Sequence, residues 1–83
     1  MKIRLKMFAI LKDRSGVSEI ELELPEAATV ADAVSLIRQR FEAIAELLPQ
    51  VAAAVNLSYA ERSHVLRDGD ELALIPPVSG GVR

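Results

Sequence analysis

No cysteine and no tryptophan occur among the 83 residues, and histidine occurs once, as His64. Without cysteine there is no disulfide framework, no thiolate metal site, no iron–sulfur cluster and no cysteine nucleophile. A reducing compartment fits that composition. A lone histidine at the start of a short strand reads as a surface residue, because a metal centre needs several ligands. No apolar run is long enough to span a bilayer, and Met1-Lys2-Ile3-Arg4 alternates charge with apolar side chains instead of opening a secretory signal. The expected location is therefore cytoplasmic, with no membrane partner. Neither sign of charge dominates: ten basic and twelve acidic residues are intermixed, for a net charge of −2. That pattern lacks the basic footprint of a nucleic-acid binder. There is no glycine-rich phosphate loop and no Ser-His-Asp set, so a stand-alone enzyme is not expected.

Apolar residues make up 51% of the chain, enough for the core of one small domain spanning residues 1–83. Ile3, Leu5 and Met7 alternate with Lys2, Arg4, Lys6 and Phe8, the period of a half-buried strand. Ser15-Gly16 supplies a turn. Ile20, Leu22 and Leu24 alternate with Glu19, Glu21 and Glu23, a second strand that Pro25 ends. Paired antiparallel, the two strands set a basic outer row beside an acidic one, which accounts for the charge runs without a ligand; a partner-binding charged face is the alternative. Thr29 and Asp32 have the spacing of a capping box. Val30, Val34, Ile37 and Phe41 then form one apolar helix face, with Arg38, Gln39 and Arg40 mostly on the other. Ala43 to Leu48 reads as a short second helix stopped by Pro49.

Val51 to Leu57 reads as a buried third strand, and Val65-Leu66 as a short one. Arg67-Asp68-Gly69-Asp70 is a turn, because Gly69 can take a positive φ. Glu71 to Ile75 is the last strand, and Pro76-Pro77 prevents its extension. Asp68, Asp70 and Glu71 are better explained by turn chemistry than as a Mg²⁺ or Ca²⁺ site, which would need more oxygen donors. Asn56 is expected to satisfy local backbone groups or to cap the following turn. The order of strand, strand, helix, strand, short strand, strand predicts an α+β chain. Its expected form is a β-grasp, ubiquitin-like mixed sheet packed on one main helix, with a flexible tail from about residue 76 and disorder from about Val78.

Gly80-Gly81 follows this last strand through the stem Pro76-Pro77-Val78-Ser79. Glycine backbone can enter a space too narrow for any side chain, and two prolines stiffen the approach. Such a tail suits a protein whose own carboxylate is the reactive group, delivered into another protein's active site. A carboxylate is a poor electrophile. Adenylation with ATP makes it a mixed anhydride, and attack by sulfur yields a thiocarboxylate, with the acid–base chemistry supplied by other proteins. Phe8, on the strand face opposite Ile3, Leu5 and Met7, is either an exposed docking anchor near that tail or a residue packed at the sheet edge.

Ala54-Val55-Asn56 and the run Leu66-Arg67-Asp68-Gly69-Asp70-Glu71 through Ile75-Pro76-Pro77-Val78-Ser79-Gly80-Gly81 resemble the small subunit of molybdopterin synthase, the MoaD family. Phe8-Ala9-Ile10-Leu11-Lys12-Asp13 followed by Gly16 resembles that family's opening segment. The likeness covers essentially the whole chain in order. It implies a sulfur carrier for molybdenum cofactor biosynthesis that binds no cofactor itself. A ubiquitin-activating-type enzyme would use ATP to adenylate Gly81, with Gly80 beside it. A sulfurtransferase system would then form the thiocarboxylate. The large synthase subunit would take up the tail through Pro76, Pro77, Val78 and Ser79 and direct sulfur to cyclic pyranopterin monophosphate. The implied assembly is a heterotetramer, a central dimer of large subunits with one small subunit at each end. By position, Phe8, Tyr59 and Ile75 match apolar docking residues of the family.

Val82 and Arg83 depart from the pattern, since the family ends at the second glycine. An internal Gly81 has an amide bond instead of a free carboxylate. Two more residues also lengthen the tail by about 7 Å at roughly 3.3–3.6 Å per residue. Removal of Val82-Arg83 is the expectation. A fusion remnant of the large subunit and a paralogue without carrier function are the alternatives. Rival readings of the chain as a whole are a sulfur carrier for thiamine thiazole or tRNA thiolation, a ubiquitin-like modifier of lysines, and a β-grasp interaction module whose tail is inert.

Overall fold

The computed structural model describes residues 1–77. Strand β1 (Lys2–Met7), helix α1 (Ala9–Ser15), strand β2 (Glu19–Glu23) and helix α2 (Val30–Arg40) come first. A 3-10 helix (Glu42–Gln50) and strands β3 (Ala52–Val55), β4 (Ser58–Ala60) and β5 (Glu71–Ile75) follow. The five strands form one mixed sheet in the order β2-β1-β5-β3-β4. β1 is antiparallel to β2 and parallel to β5, and β3 is antiparallel to both β4 and β5. This is the β-grasp arrangement.

Alternation in the sequence sets which face is buried. Ile3, Leu5 and Met7 point inward from β1, Leu22 from β2, and Leu72 and Leu74 from β5. Val30, Ala33 and Ile37 of α2 join them in one core, together with Ile44 and Leu48 of the 3-10 helix. The capping box at the start of α2 forms as the sequence indicates. The Asp32 N–H donates to Thr29 Oγ1 (3.2 Å), and the Thr29 N–H donates to Asp32 Oδ2 (2.9 Å). Val34 and Phe41 are only half-buried, so the apolar stripe of α2 meets the core through its centre.

The structure differs from the sequence reading in four places. The chain between the first two strands forms α1, a seven-residue helix with Leu11 as its buried residue. Gly16 ends that helix at φ +79°, so the turn at Ser15-Gly16 is a helix C-cap. The second helix has the tighter 3-10 winding and includes Pro49 inside its span. The stretch read as one strand from Val51 to Leu57 is a hairpin: β3 ends at Val55, Asn56 and Leu57 turn, and β4 returns. Val65-Leu66 contributes a single bridge, Val65 to Thr29, and no strand. His64 lies in that loop, where its carbonyl accepts the Val30 N–H (2.9 Å). Among the described residues no helix is long and apolar enough to cross a membrane.

Candidate functional site

β5 is the base from which the candidate tail departs, and it is held on both edges. On one side the register pairs Arg4 with Glu71 and Met7 with Leu74. On the other it pairs Val55 with Leu72 and Ala52 with Ile75. A strand in mid-sheet cannot swing without breaking two ladders, so the direction in which the chain leaves Ile75 is fixed. Pro76 is half-buried and Pro77 exposed. Val78, Ser79, Gly80, Gly81, Val82 and Arg83 lie outside the described residues. So does the expectation of disorder from Val78, along with most of the expected tail.

The opposite end of β5 is locked by the turn that the sequence singled out. Gly69 takes φ +86°, and its N–H donates to the Lys2 carbonyl (2.7 Å). The Lys2 N–H donates to Asp68 Oδ1 (2.7 Å), and the Arg67 N–H donates to Asp70 Oδ2 (2.8 Å). Asn56 Nδ2 donates to Asp70 Oδ1 (2.9 Å), while Asn56 Oδ1 accepts the Glu71 N–H (3.0 Å). The acidic cluster therefore commits oxygens to backbone and amide donors, tying the starts of β1 and β5 to the β3–β4 turn. Among the described residues no group of three or more His, Cys, Asp or Glu side chains is placed to hold a metal ion. Asn56→Ala removes both side-chain bonds and leaves alanine at φ +51°. The expected loss is about 2 kcal/mol, read as a lower urea midpoint at unchanged slope.

The outer face of the sheet divides into two halves. The β2–β1 half is ionic: Arg4 Nε lies 3.0 Å from Glu19, and Lys6 Nζ lies 3.4 Å from Glu71 on β5. These are solvated pairs that contribute little and need no external ligand. The other half is apolar. Ala54 lies between Tyr59 on β4 and Ala73 on β5, and Ala52 lies beside Ile75. Met7 pairs with Leu74, so the parallel register carries Phe8 alongside Ile75. With strands about 4.8 Å apart, a low floor of Ala52, Ala54 and Ala73 separates the Tyr59 side from the Phe8–Ile75 side. Tyr59 is 78% exposed, Phe8 is 46% exposed and Ile75 is half-buried. Thus the three residues named from the resemblance sit on one face, at the edge of which the tail begins. Phe8 also ends β1, acting as the cap residue of α1, with Ala9 at φ +52° turning the chain away from the sheet.

The sequence reading missed Leu57. It sits in the β3–β4 turn, 89% exposed, at φ +73°. Asn56 before it was the available signal, since asparagine often opens a two-residue hairpin turn.

Comparison with known proteins agrees with this architecture. The sequence profile of the ThiS family matches residues 5–81. The molybdopterin synthase sulfur carrier subunit of Arabidopsis thaliana is 31% identical over 81 residues, covering 98% of this chain and 84% of that protein. The corresponding subunit of Chlamydomonas reinhardtii is 34% identical over 83 residues, covering 98% and 100%. Among solved structures, SAMP1 (small archaeal modifier protein 1) from Haloferax volcanii superposes with a TM-score of 0.87 at 28% identity, covering 98% of this chain and 100% of that one. A putative molybdopterin converting factor subunit 1 from Pyrococcus furiosus gives a TM-score of 0.83 at 36% identity, covering 93% and 98%. A chain from the complex of subunits 1 and 2 of the molybdopterin-converting factor of Helicobacter pylori gives 0.72 at 26% identity, covering 98% and 100%.

Proposed function

The chain belongs to the ThiS family, and on that footing we propose that it is the sulfur carrier subunit of a molybdopterin synthase, with Gly81 as the carrying residue. What supports the reading is a Gly80-Gly81 pair a few residues beyond a strand paired on both edges, in a chain whose relatives bear that name over nearly its full length. The partner that takes up the tail is the large synthase subunit. A complex of subunits 1 and 2 in the Helicobacter pylori factor supports that pairing. The assembly proposed here is a heterotetramer of two large and two small subunits.

In this reading whatever follows Gly81, here Val82-Arg83, is removed first. An adenylating enzyme of the ubiquitin-activating type then joins the Gly81 carboxylate to the α-phosphate of ATP and releases pyrophosphate. Sulfur at the oxidation level of sulfide displaces AMP, leaving a thiocarboxylate. In the large subunit that sulfur passes to cyclic pyranopterin monophosphate, and two such transfers build the dithiolene. The carrier needs no catalytic side chain; it supplies a rigid base, a docking face and a slender end.

The test is the intact mass of the protein purified untagged from its own cells. A species ending at Gly81, with one oxygen replaced by sulfur, is expected. If every molecule still extends beyond Gly81, the reading fails. The likeness to SAMP1 favours a second use of the same carboxylate, as a modifier joined to lysines of other proteins. Isopeptide-linked adducts in cell extracts would identify it. Deletion of the gene separates the remaining carriers. Loss of molybdenum cofactor with thiamine synthesis and tRNA thiolation intact is expected here.

A further inference from the structure

The β3–β4 turn carries two consecutive residues with positive φ, Asn56 at +51° and Leu57 at +73°. Two-residue hairpin turns of this kind favour asparagine first and glycine second. Leucine in the second position is a steric outlier, because its Cβ crowds the neighbouring carbonyl. Strain of that sort persists when surrounding contacts offset it, yet Leu57 is 89% exposed and takes no part in the core. The local hydrogen bonds belong to Asn56, whose side chain already fastens the turn to Asp70 and Glu71. Among the described residues no core contact accounts for an apolar side chain there.

Its surroundings outside the core do. Leu57 lies in the turn just before β4, two residues from Tyr59. Tyr59 adjoins Ala54, Ala54 adjoins Ala73, and the floor runs on to Ile75 and Phe8. Leu57 therefore places an exposed apolar side chain beyond Tyr59, at the end of the sheet opposite the tail. A rigid partner that receives the tail at one end of the sheet meets the hairpin at the other. Few residues dominate such interfaces, and large apolar side chains seated in a partner pocket are among them.

We propose that Leu57 is a second anchor for the large subunit that takes up the tail, held in a strained turn so that it projects into an apolar pocket of that partner. The proposal rests on the carrier reading above. It distinguishes an anchor from a structural residue because the two roles predict opposite signs of the same substitution.

The experiment uses the chain ending at Gly81 and the purified large subunit from the same organism. Leu57→Gly relieves the strained φ and removes the apolar side chain. The expected result is a melting temperature higher by a few degrees, with affinity for the large subunit at least about tenfold weaker. Leu57→Met keeps an apolar side chain and is expected to bind within about threefold of the parent. Phe8→Asp serves as the control for the docking face. If Phe8→Asp weakens binding while Leu57→Gly binds as the parent does, the second anchor is overturned and the carrier reading stands. A lower melting temperature for Leu57→Gly also overturns it, since leucine would then serve the fold. If the parent chain does not bind the large subunit, both readings fall together.

Discussion

A chain ending at Ser79 is expected to form no thiocarboxylate, while its melting temperature stays that of the chain ending at Gly81. The two effects separate because the sheet is complete at Ile75, five residues before the glycine pair begins. Truncation beyond the last strand removes no core side chain, and surface changes away from such features stay within about 0.5 kcal/mol. Activation is another matter. The shortened chain still ends in a carboxylate, but that group sits about 7 Å short of its former reach. It also presents the Ser79 side chain where the proposal calls for glycine backbone alone. The measurement is pyrophosphate release and product mass after incubation with the adenylating enzyme, ATP and a sulfur donor. Thiocarboxylate formed at a rate near that of the longer chain would contradict the assignment of Gly81.

Leu72→Ala acts on the other half of the design and is expected to lower stability by about 3 kcal/mol. Leu72 is fully buried in the central strand, opposite Leu5 in one ladder and Val55 in the other. The cavity it leaves is bounded by strands hydrogen-bonded on both sides, which limits how far the site can collapse. A domain of this size has roughly 4–12 kcal/mol in total, so the loss is a large share of it. The melting temperature should fall by about 10–20 °C, checked by a thermal melt monitored by far-UV circular dichroism. A fall of less than about 4 °C would mean that the core repacks around the gap more freely than the flanking ladders suggest.

The parts of the fold that were legible in the sequence carry a pattern of several residues. Alternation over Lys2 to Met7 and Glu19 to Leu24 marked β1 and β2, and their antiparallel pairing sets basic residues against acidic ones. Thr29 with Asp32 marked the start of α2, and Gly69 with Pro76-Pro77 bracketed β5. The missed elements are short and lack such a pattern. α1 has two turns and one buried side chain, so no helical period can emerge from it. The β3–β4 hairpin was hidden because Ala52 to Leu57 is continuously apolar except for Asn56, and the turn has leucine where glycine would have announced it. The 3-10 winding of Glu42–Gln50 reflects a choice between hydrogen-bond spacings that composition does not encode. Tyr59 and Ile75 rest on resemblance to a family alone, and Phe8 on that resemblance and on its strand face. Their placement on one face follows from a register that joins strands far apart in the sequence, which no local pattern could supply.

The place of β5 in the sheet bears on how the protein is made. Two hairpin-like pairs, β1–β2 and β3–β4, are synthesised first, and neither touches the other through a ladder until β5 arrives between them. A lone two-stranded unit is marginal in water, and bringing in a strand some 65 residues downstream of its partner β1 carries a loop-closure cost that slows folding. A ribosome that stalls before Glu71 therefore leaves two unjoined pieces with open edges, material for proteases. Only the codons for Pro76 to Ser79 separate those that close the sheet from those for the glycine pair. A chain interrupted before Glu71 thus lacks both its finished sheet and the glycine pair on which the proposed activation depends.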